Sequence, residues 1–259
     1  MTAPLFSSGF SEVNGISIYY ETHGEGKPLL LVHGGGSTIQ TSFGRIIPLL
    51  TGYQLIAVEL QNHGRSGFRE EPETFEQDAA DLASLLNNIG LRKTSVLGFS
   101  NGGTTCLHLA NQYPALIDKM ILVAAGFRRE GFMKGFFEGM NRATLGNMPE
   151  QLKESFLRLN PDPAKLQKMF EKDRDRMIHF PDYPDDLLTS IKKPTLIING
   201  DRDVVSNEHA VRMQELIEDA RLVIIPGNHG QCIGESTWND EQSKNMGITV
   251  SLIRQFLDD

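Results

Sequence analysis

The sequence predicts an α/β fold built on a mostly parallel sheet covered by helices on both faces, and three observations carry that prediction. Six short apolar runs rich in branched residues, Leu29–Val32, Leu55–Val58, Ser95–Leu97, Met120–Val123, Thr195–Ile198 and Leu222–Ile225, read as buried strands. Between several of them, Asp78–Leu86, Thr104–Asn111 and Val211–Ile217 place apolar residues three or four positions apart, the repeat of a helix with one buried face. Strand and helix in alternation give parallel neighbours, because a parallel crossover needs a connection long enough to return across the sheet. Ahead of these runs, Gly9–Val13 and Ile16–Glu21 flank Asn14-Gly15, a dipeptide that tolerates positive φ in a two-residue hairpin. An antiparallel pair is therefore expected at the N-terminal edge.

Length and composition agree with this reading. The chain has 259 residues, 39% hydrophobic and 22% charged, an ordinary globular balance. A chain of this size buries roughly 70 to 75% of its unfolded surface, enough for one large core. With 33 acidic against 25 basic residues, a formal charge of −8 and no Lys/Arg block, a nucleic-acid partner is not expected. The longest apolar run is about Met120–Ala125, well short of the roughly 20 residues of a membrane span, and the first basic residue is Lys27. Neither a membrane anchor nor a signal peptide is expected. Cys106 and Cys232 are too few for a disulfide framework and are not spaced as metal ligands, which favours a reducing, cytoplasmic setting.

After Val123 the alternation stops. Residues 126–190 carry helical patterns and no convincing strand, so the chain is expected to divide into a core of residues 1–125 and 191–259 and an inserted helical lid, 126–190. Phe132, Met133, Phe136, Phe137 and Met140 fall on one helical stripe, and Leu166, Met169, Phe170 and Met177 on another. Pro161, Pro163, Pro181 and Pro184 cut the segment into short helices. Such stripes first serve to pack an insertion onto its body. Part of the same surface, with Phe127, Phe132 and Phe136 above Gly36, is expected to roof an apolar pocket.

The chemistry centres on Gly98-Phe99-Ser100-Asn101-Gly102, which leaves one predicted strand and enters a predicted helix. A Gly-x-Ser-x-Gly turn in that context lifts the serine hydroxyl above the sheet, with glycines where neighbouring backbones approach closely. The hydroxyl needs a base, and of seven histidines His229 stands in the best place, in Pro226–Gly230 directly after an apolar strand. His23, His108, His179 and His209 read as structural. The base needs a carboxylate, and the strand Thr195–Ile198 runs into Asn199-Gly200-Asp201-Arg202-Asp203. Asp203 is expected to orient His229, and Asp201 to brace the turn. His33-Gly34-Gly35-Gly36 supplies a side-chain-free loop whose Gly35 (or Gly36) amide would face the same oxyanion as the Asn101 amide, with His33 a structural hydrogen-bonding residue beneath it.

Together these segments resemble the α/β-hydrolase superfamily, in its serine-nucleophile, lid-containing, esterase-like branch, over essentially the whole chain. Glu59–Ser66 looks like the family's loop Asp-x-Arg-Gly-x-Gly-x-Ser but departs from it, with Glu59 for Asp and Asn62-His63 for the Arg-Gly portion. His63 is read as shaping that loop. The resemblance implies eight strands, a helical lid after the sixth, and Ser100, Asp203 and His229 as a triad. Members that open epoxides or displace halides carry Asp in place of Ser100, so those activities are not expected.

The expected activity is hydrolysis of a small to medium carboxylic ester through an acyl-enzyme on Ser100, with a small-molecule substrate and neither metal nor other cofactor. The same triad could act on a C–C bond, a thioester, an enol-lactone or a prolyl peptide, the last calling for Glu130, Glu138 or the Asp182/Asp185/Asp186 group at the pocket. Acyl transfer, perhydrolysis and a ligand-sensing role for the same pocket are also open, and no feature of the sequence speaks to the oligomeric state.

Overall fold

Asn14 and Gly15 both take positive φ, 44° and 86°, and close a two-residue turn between β1 (Leu5–Val13) and β2 (Ile16–His23). The computed structural model describes residues 5–239 and 242–259. Beyond the hairpin come β3 (Lys27–Val32), β4 (Tyr53–Val58), β5 (Thr94–Phe99), β6 (Ile117–Val123), β7 (Thr195–Gly200) and β8 (Ala220–Ile225). All eight form one sheet in the order β1-β2-β4-β3-β5-β6-β7-β8. The β1–β2 and β2–β4 pairs are antiparallel and every later pair is parallel, as the alternation predicts.

The helices are α1 (Ile39–Phe43), α2 (Phe75–Asn88), α3 (Asn101–Gln112), α4 (Phe136–Arg142), α5 (Glu150–Leu159), α6 (Pro163–Ile178), α7 (Asp186–Thr189), α8 (Asn207–Leu216) and α9 (Met246–Asp258). Alternate residues of the central strands enter opposite cores. Leu30, Val32, Val96 and Leu122 pack with α2, α3 and α8, while Leu29, Leu31, Leu97 and Ile121 pack with α1 and α9. Both faces being covered explains why these strands read as continuous apolar runs.

The run Leu222–Ile225 behaves differently from the expectation of a buried strand. Only Ile225 is buried, and Ile224 is 42% exposed. β8 pairs with β7 alone, and an apolar run cannot by itself distinguish an interior strand from an edge.

Between β6 and β7 lie α4 to α7 and no further strand among the described residues. The expected stripe from Phe132 to Met140 does not form one helix: Gly135 at φ 84° starts α4, so Phe132 and Met133 precede it, and Met133 is 54% exposed. The rings of Phe132, Phe136 and Phe137 nevertheless gather with Phe180. The second stripe does lie on one helix, α6, where Leu166 and Met169 pack against Met148, Leu152 and Phe156. No described helix is long and apolar enough to cross a membrane. Cys106 and Cys232 are buried and unpaired.

Candidate active site

β5 ends at Phe99 and α3 begins at Asn101, leaving Ser100 between them at φ 53° and ψ −120°. A non-glycine residue in that region costs on the order of 1–3 kcal/mol and persists only where its surroundings hold it. Here the Ser100 amide donates to the Val123 carbonyl at 2.8 Å, and the Ser100 carbonyl accepts from Gly103 and Thr104 at 2.8 and 3.1 Å. The flanking glycines are required by contact. A Cβ on Gly98 would lie 2.3 Å from the Gly102 carbonyl oxygen, and one on Gly102 would lie 2.2 Å from that of Val32.

The loop after β8 delivers His229 to this turn. Its Nε2 lies 3.0 Å from Ser100 Oγ, and its Nδ1 lies 2.7 Å from Asp203 Oδ1. The carboxylate faces Nδ1, so that nitrogen carries the proton and leaves the Nε2 lone pair for the serine hydroxyl. Asp203 is itself held by the Val205 amide at 3.1 Å, and the Trp238 indole donates to the His229 carbonyl at 2.7 Å. Desolvation disfavours the His229 imidazolium, but the charge and hydrogen bond of Asp203, with Glu235 adding, outweigh it and raise His229 above the usual histidine range. Asp201 accepts the Gly227 amide at 2.8 Å and does not reach the histidine, as expected of a turn brace.

The loop after β3 runs directly over the serine. A Cβ on Gly34 would lie 3.3 Å from Ser100 Cβ, and one on Gly35 would lie 2.5 Å from Asn101 Nδ2. The Gly35 amide has no acceptor among the described residues, whereas the Gly36 amide donates to the Asp173 carboxylate. Of the two amides the sequence offered, Gly35 is thus the open one. His33 lies beneath the loop: its Nδ1–H donates to the Gly34 carbonyl at 2.7 Å, and its Nε2 accepts the Leu60 amide at 3.0 Å. Burial and the neighbouring His63 charge push it down to about 3, so it is neutral.

Ser100 and His229 open into a cavity of about 300 Å³ whose walls include Phe132, Phe136, Met148, Leu152, Met169 and Phe170. Gly36, Phe132 and Phe136 are among its lining residues. Phe127 is not: it is fully buried, stacked on His209 at 4.6 Å, beneath the surface it was expected to form. A larger cavity of about 630 Å³, between Pro72–Glu76 and the end of α6, is lined by neither serine nor cysteine and does not include Ser100, Asp203 or His229. His209 accepts the Phe127 amide and is held down to about 4 by burial and Arg128, and His108 packs against Tyr183, both structural as expected. Glu130, Glu138, Asp182, Asp185 and Asp186 are not among the residues that line the cavity.

Sequence reasoning missed Asp173, which enters the cavity wall. The signal was present in α6: residues 169, 173 and 177 are four apart, so a carboxylate interrupts an otherwise apolar face.

Comparison with known proteins places this geometry in a family. The family model for the alpha/beta hydrolase fold matches residues 27–160. The human serine hydrolase BPHL is 29% identical over 230 residues, 84% of this chain and 78% of that protein. A non-heme haloperoxidase of Rhodococcus erythropolis is 27% identical over 254 residues, 85% of this chain and 91% of its own. Among solved structures, a serine hydrolase involved in carbazole degradation (CarC) superposes with a TM-score of 0.78 at 23% identity, over 97% of this chain and 98% of that one. A match across half the chain, joined to a mostly parallel eight-stranded sheet, identifies the protein as a member of the alpha/beta hydrolase fold family.

Proposed function

We propose that the protein is a serine hydrolase that cleaves a small to medium carboxylic ester through an acyl-enzyme on Ser100. The observation that carries this reading is the continuous line Asp203–His229–Ser100, at 2.7 and 3.0 Å, opening into an apolar cavity of about 300 Å³. His229 Nε2 takes the hydroxyl proton as Ser100 Oγ attacks the ester carbonyl, and Asp203 stabilises the imidazolium so formed. The amides of Gly35 and Asn101 receive the oxyanion. The imidazolium then protonates the leaving alcohol, and the same ring activates water to release the acid. In this reading residues 126–190 are a lid, whose Phe132, Phe136 and Met169 exclude water from the acyl group.

The ester preference rests on cavity chemistry. Its walls are mostly apolar, none of Glu130, Glu138, Asp182, Asp185 and Asp186 lines it, and Asp185 pairs with Arg128 and Arg212 and Asp182 with the Arg129 amide. The test is intact-mass spectrometry after exposure to a fluorophosphonate, followed by an ester panel graded in acyl length. One stoichiometric adduct on the native chain, absent from Ser100→Ala and His229→Ala, supports the reading; a well-folded native chain without an adduct overturns it.

A further inference from the structure

Asp173 lies on the buried face of α6, and its carboxylate meets the loop His33–Gly36 at Gly36. Its Oδ2 accepts the Gly36 amide and lies 2.8 Å from His63 Nε2, while Oδ1 accepts from Arg176 Nη2. A Cβ on Gly35 would sit 3.3 Å from the same Oδ2. The carboxylate therefore rests against Gly35, the residue whose amide has no acceptor among the described residues. Three donors already take up most of its roughly four lone-pair sites, which leaves it little capacity to hold a substrate ammonium.

His63 explains how this carboxylate stays ionised out of water. Its Nδ1 faces the Gln61 carbonyl at 2.8 Å and its Nε2 faces Asp173, so both ring nitrogens meet acceptors and both carry protons. Burial opposes that charge, but Asp173 with help from Glu73 overrides it and pushes His63 up to about 9. A doubly protonated ring has no lone pair for the Gly36 amide, which belongs to Asp173 alone. Arg176 closes the cluster, 2.7 Å from Asp78 and 3.5 Å from Glu73, and Asn62 donates to Glu73 at 2.6 Å. Burial lifts Glu73 to about 7, and His33, 4.9 Å from the His63 ring, is neutral. His63 and Arg176 are thus the two cations that face the carboxyl groups of Asp173, Asp78 and Glu73.

We propose that Asp173 is a positioning residue for the oxyanion hole: by fixing the Gly36 amide it aims the Gly35 amide at the reacting centre, so the hole is complete only while α6 is docked on the loop that carries His63. This rests on the serine-hydrolase reading of Ser100. A glycine-rich peptide released from Asp173 would keep the donor but lose its direction, and a displacement of about 1 Å costs on the order of a hundredfold in rate.

The experiment compares Asp173→Asn, His63→Gln and Leu166→Ala with the native chain, using a short-chain p-nitrophenyl ester and an alkylboronic acid, whose tetrahedral adduct on the serine places an oxygen in the hole. Asp173→Asn is expected to lower kcat roughly ten- to a hundredfold with KM within about threefold, and to weaken boronate binding by the same factor. His63→Gln should act in the same direction, less strongly, and carries the test if Asp173→Asn does not fold. Leu166→Ala thins the packing of α6 on Phe156 but leaves Asp173 docked on the Gly36 amide, so it should lower Tm and leave kcat and boronate affinity within about twofold. Native kcat and boronate affinity in folded Asp173→Asn or His63→Gln overturn the proposal, as does an equal loss of both in Leu166→Ala. Absence of fluorophosphonate labelling on the native chain removes the serine-hydrolase reading itself and this proposal with it, and is told apart because it needs no variant.

Discussion

Asp201 Oδ1 accepts the Gly227 amide at 2.8 Å, tying the end of β7 to the loop that carries His229, while Asp203, two residues on, turns inward to the histidine ring. Two aspartates of one turn therefore divide the work, one bracing the backbone and the other holding the His229 ring. Asp203→Asn is expected to lower kcat by about 10⁴, because the amide favours the wrong histidine tautomer. Asp201→Asn should leave kcat within a few-fold and lower Tm by roughly 1–4 °C, the loss of an exposed bond of about 0.5–1 kcal/mol. Steady-state kinetics and thermal melts of both variants separate the roles; the reverse pattern would exchange the assignments.

The pH–rate profile should carry an acid limb set by His229. Asp203 and Glu235 hold its folded value above the ordinary one, so the imidazolium persists to higher pH and the base becomes available only above that value. In kcat/KM against pH the limb is expected to lie above about 6.5. Glu235→Gln removes one stabilising charge and should move the limb to lower pH. An unmoved limb means that Glu235 is not felt at the ring.

His63 makes a stability prediction with the opposite pH window. Its folded value, about 9, exceeds the ordinary histidine value, so its contribution is full below about 6.5 and is lost as pH rises through about 9. The Tm difference between the native chain and His63→Gln should be largest near pH 6 and shrink towards pH 9.5. A constant difference across that range would place its origin in packing rather than charge.

Gly98→Ala and Gly102→Ala should each be severely destabilising, because the new methyl meets backbone oxygen at 2.3 and 2.2 Å and the strand and helix backbones have no slack there. Expected losses are about 2–3 kcal/mol or more, seen as a fall in denaturation midpoint or as insoluble protein. Gly139→Ala, with open space at its Cβ, is the control and should be near neutral.

The meeting of Ser100, Asp203 and His229 was legible because each follows a strand with its own signature: Ser100 between close-packed glycines, Asp203 and His229 in loops that begin where apolar runs end. Parallel strands deliver their carboxyl ends to one side, so three distant segments had a single place to meet. What the sequence hid depends on burial along the third dimension. Leu222–Ile225 looks interior because edge strands and central strands share the same residue types, and Phe127 looks like a pocket residue because an aromatic beside a strand end fills a core as readily as a cavity. Asp173 was hidden by the opposite bias, since a charge on a helix ordinarily faces water. Only its four-residue spacing from Met169 and Met177 marked it, and its partners lie 110 and 137 residues away, at His63 and Gly36.

The order of strands also unequally distributes the mechanical security of Ser100 and His229. Ser100 grows from β5, clasped between β3 and β6, whereas His229 hangs from β8, which is hydrogen-bonded along one side only. Fraying at that margin would carry His229 away while Ser100 stays seated, so under the proposed mechanism the chain would fall silent before it falls apart. In rising denaturant, hydrogen exchange should reach the amides of β8 before those of β5, and activity should fade while the far-ultraviolet signal of the central sheet is still whole.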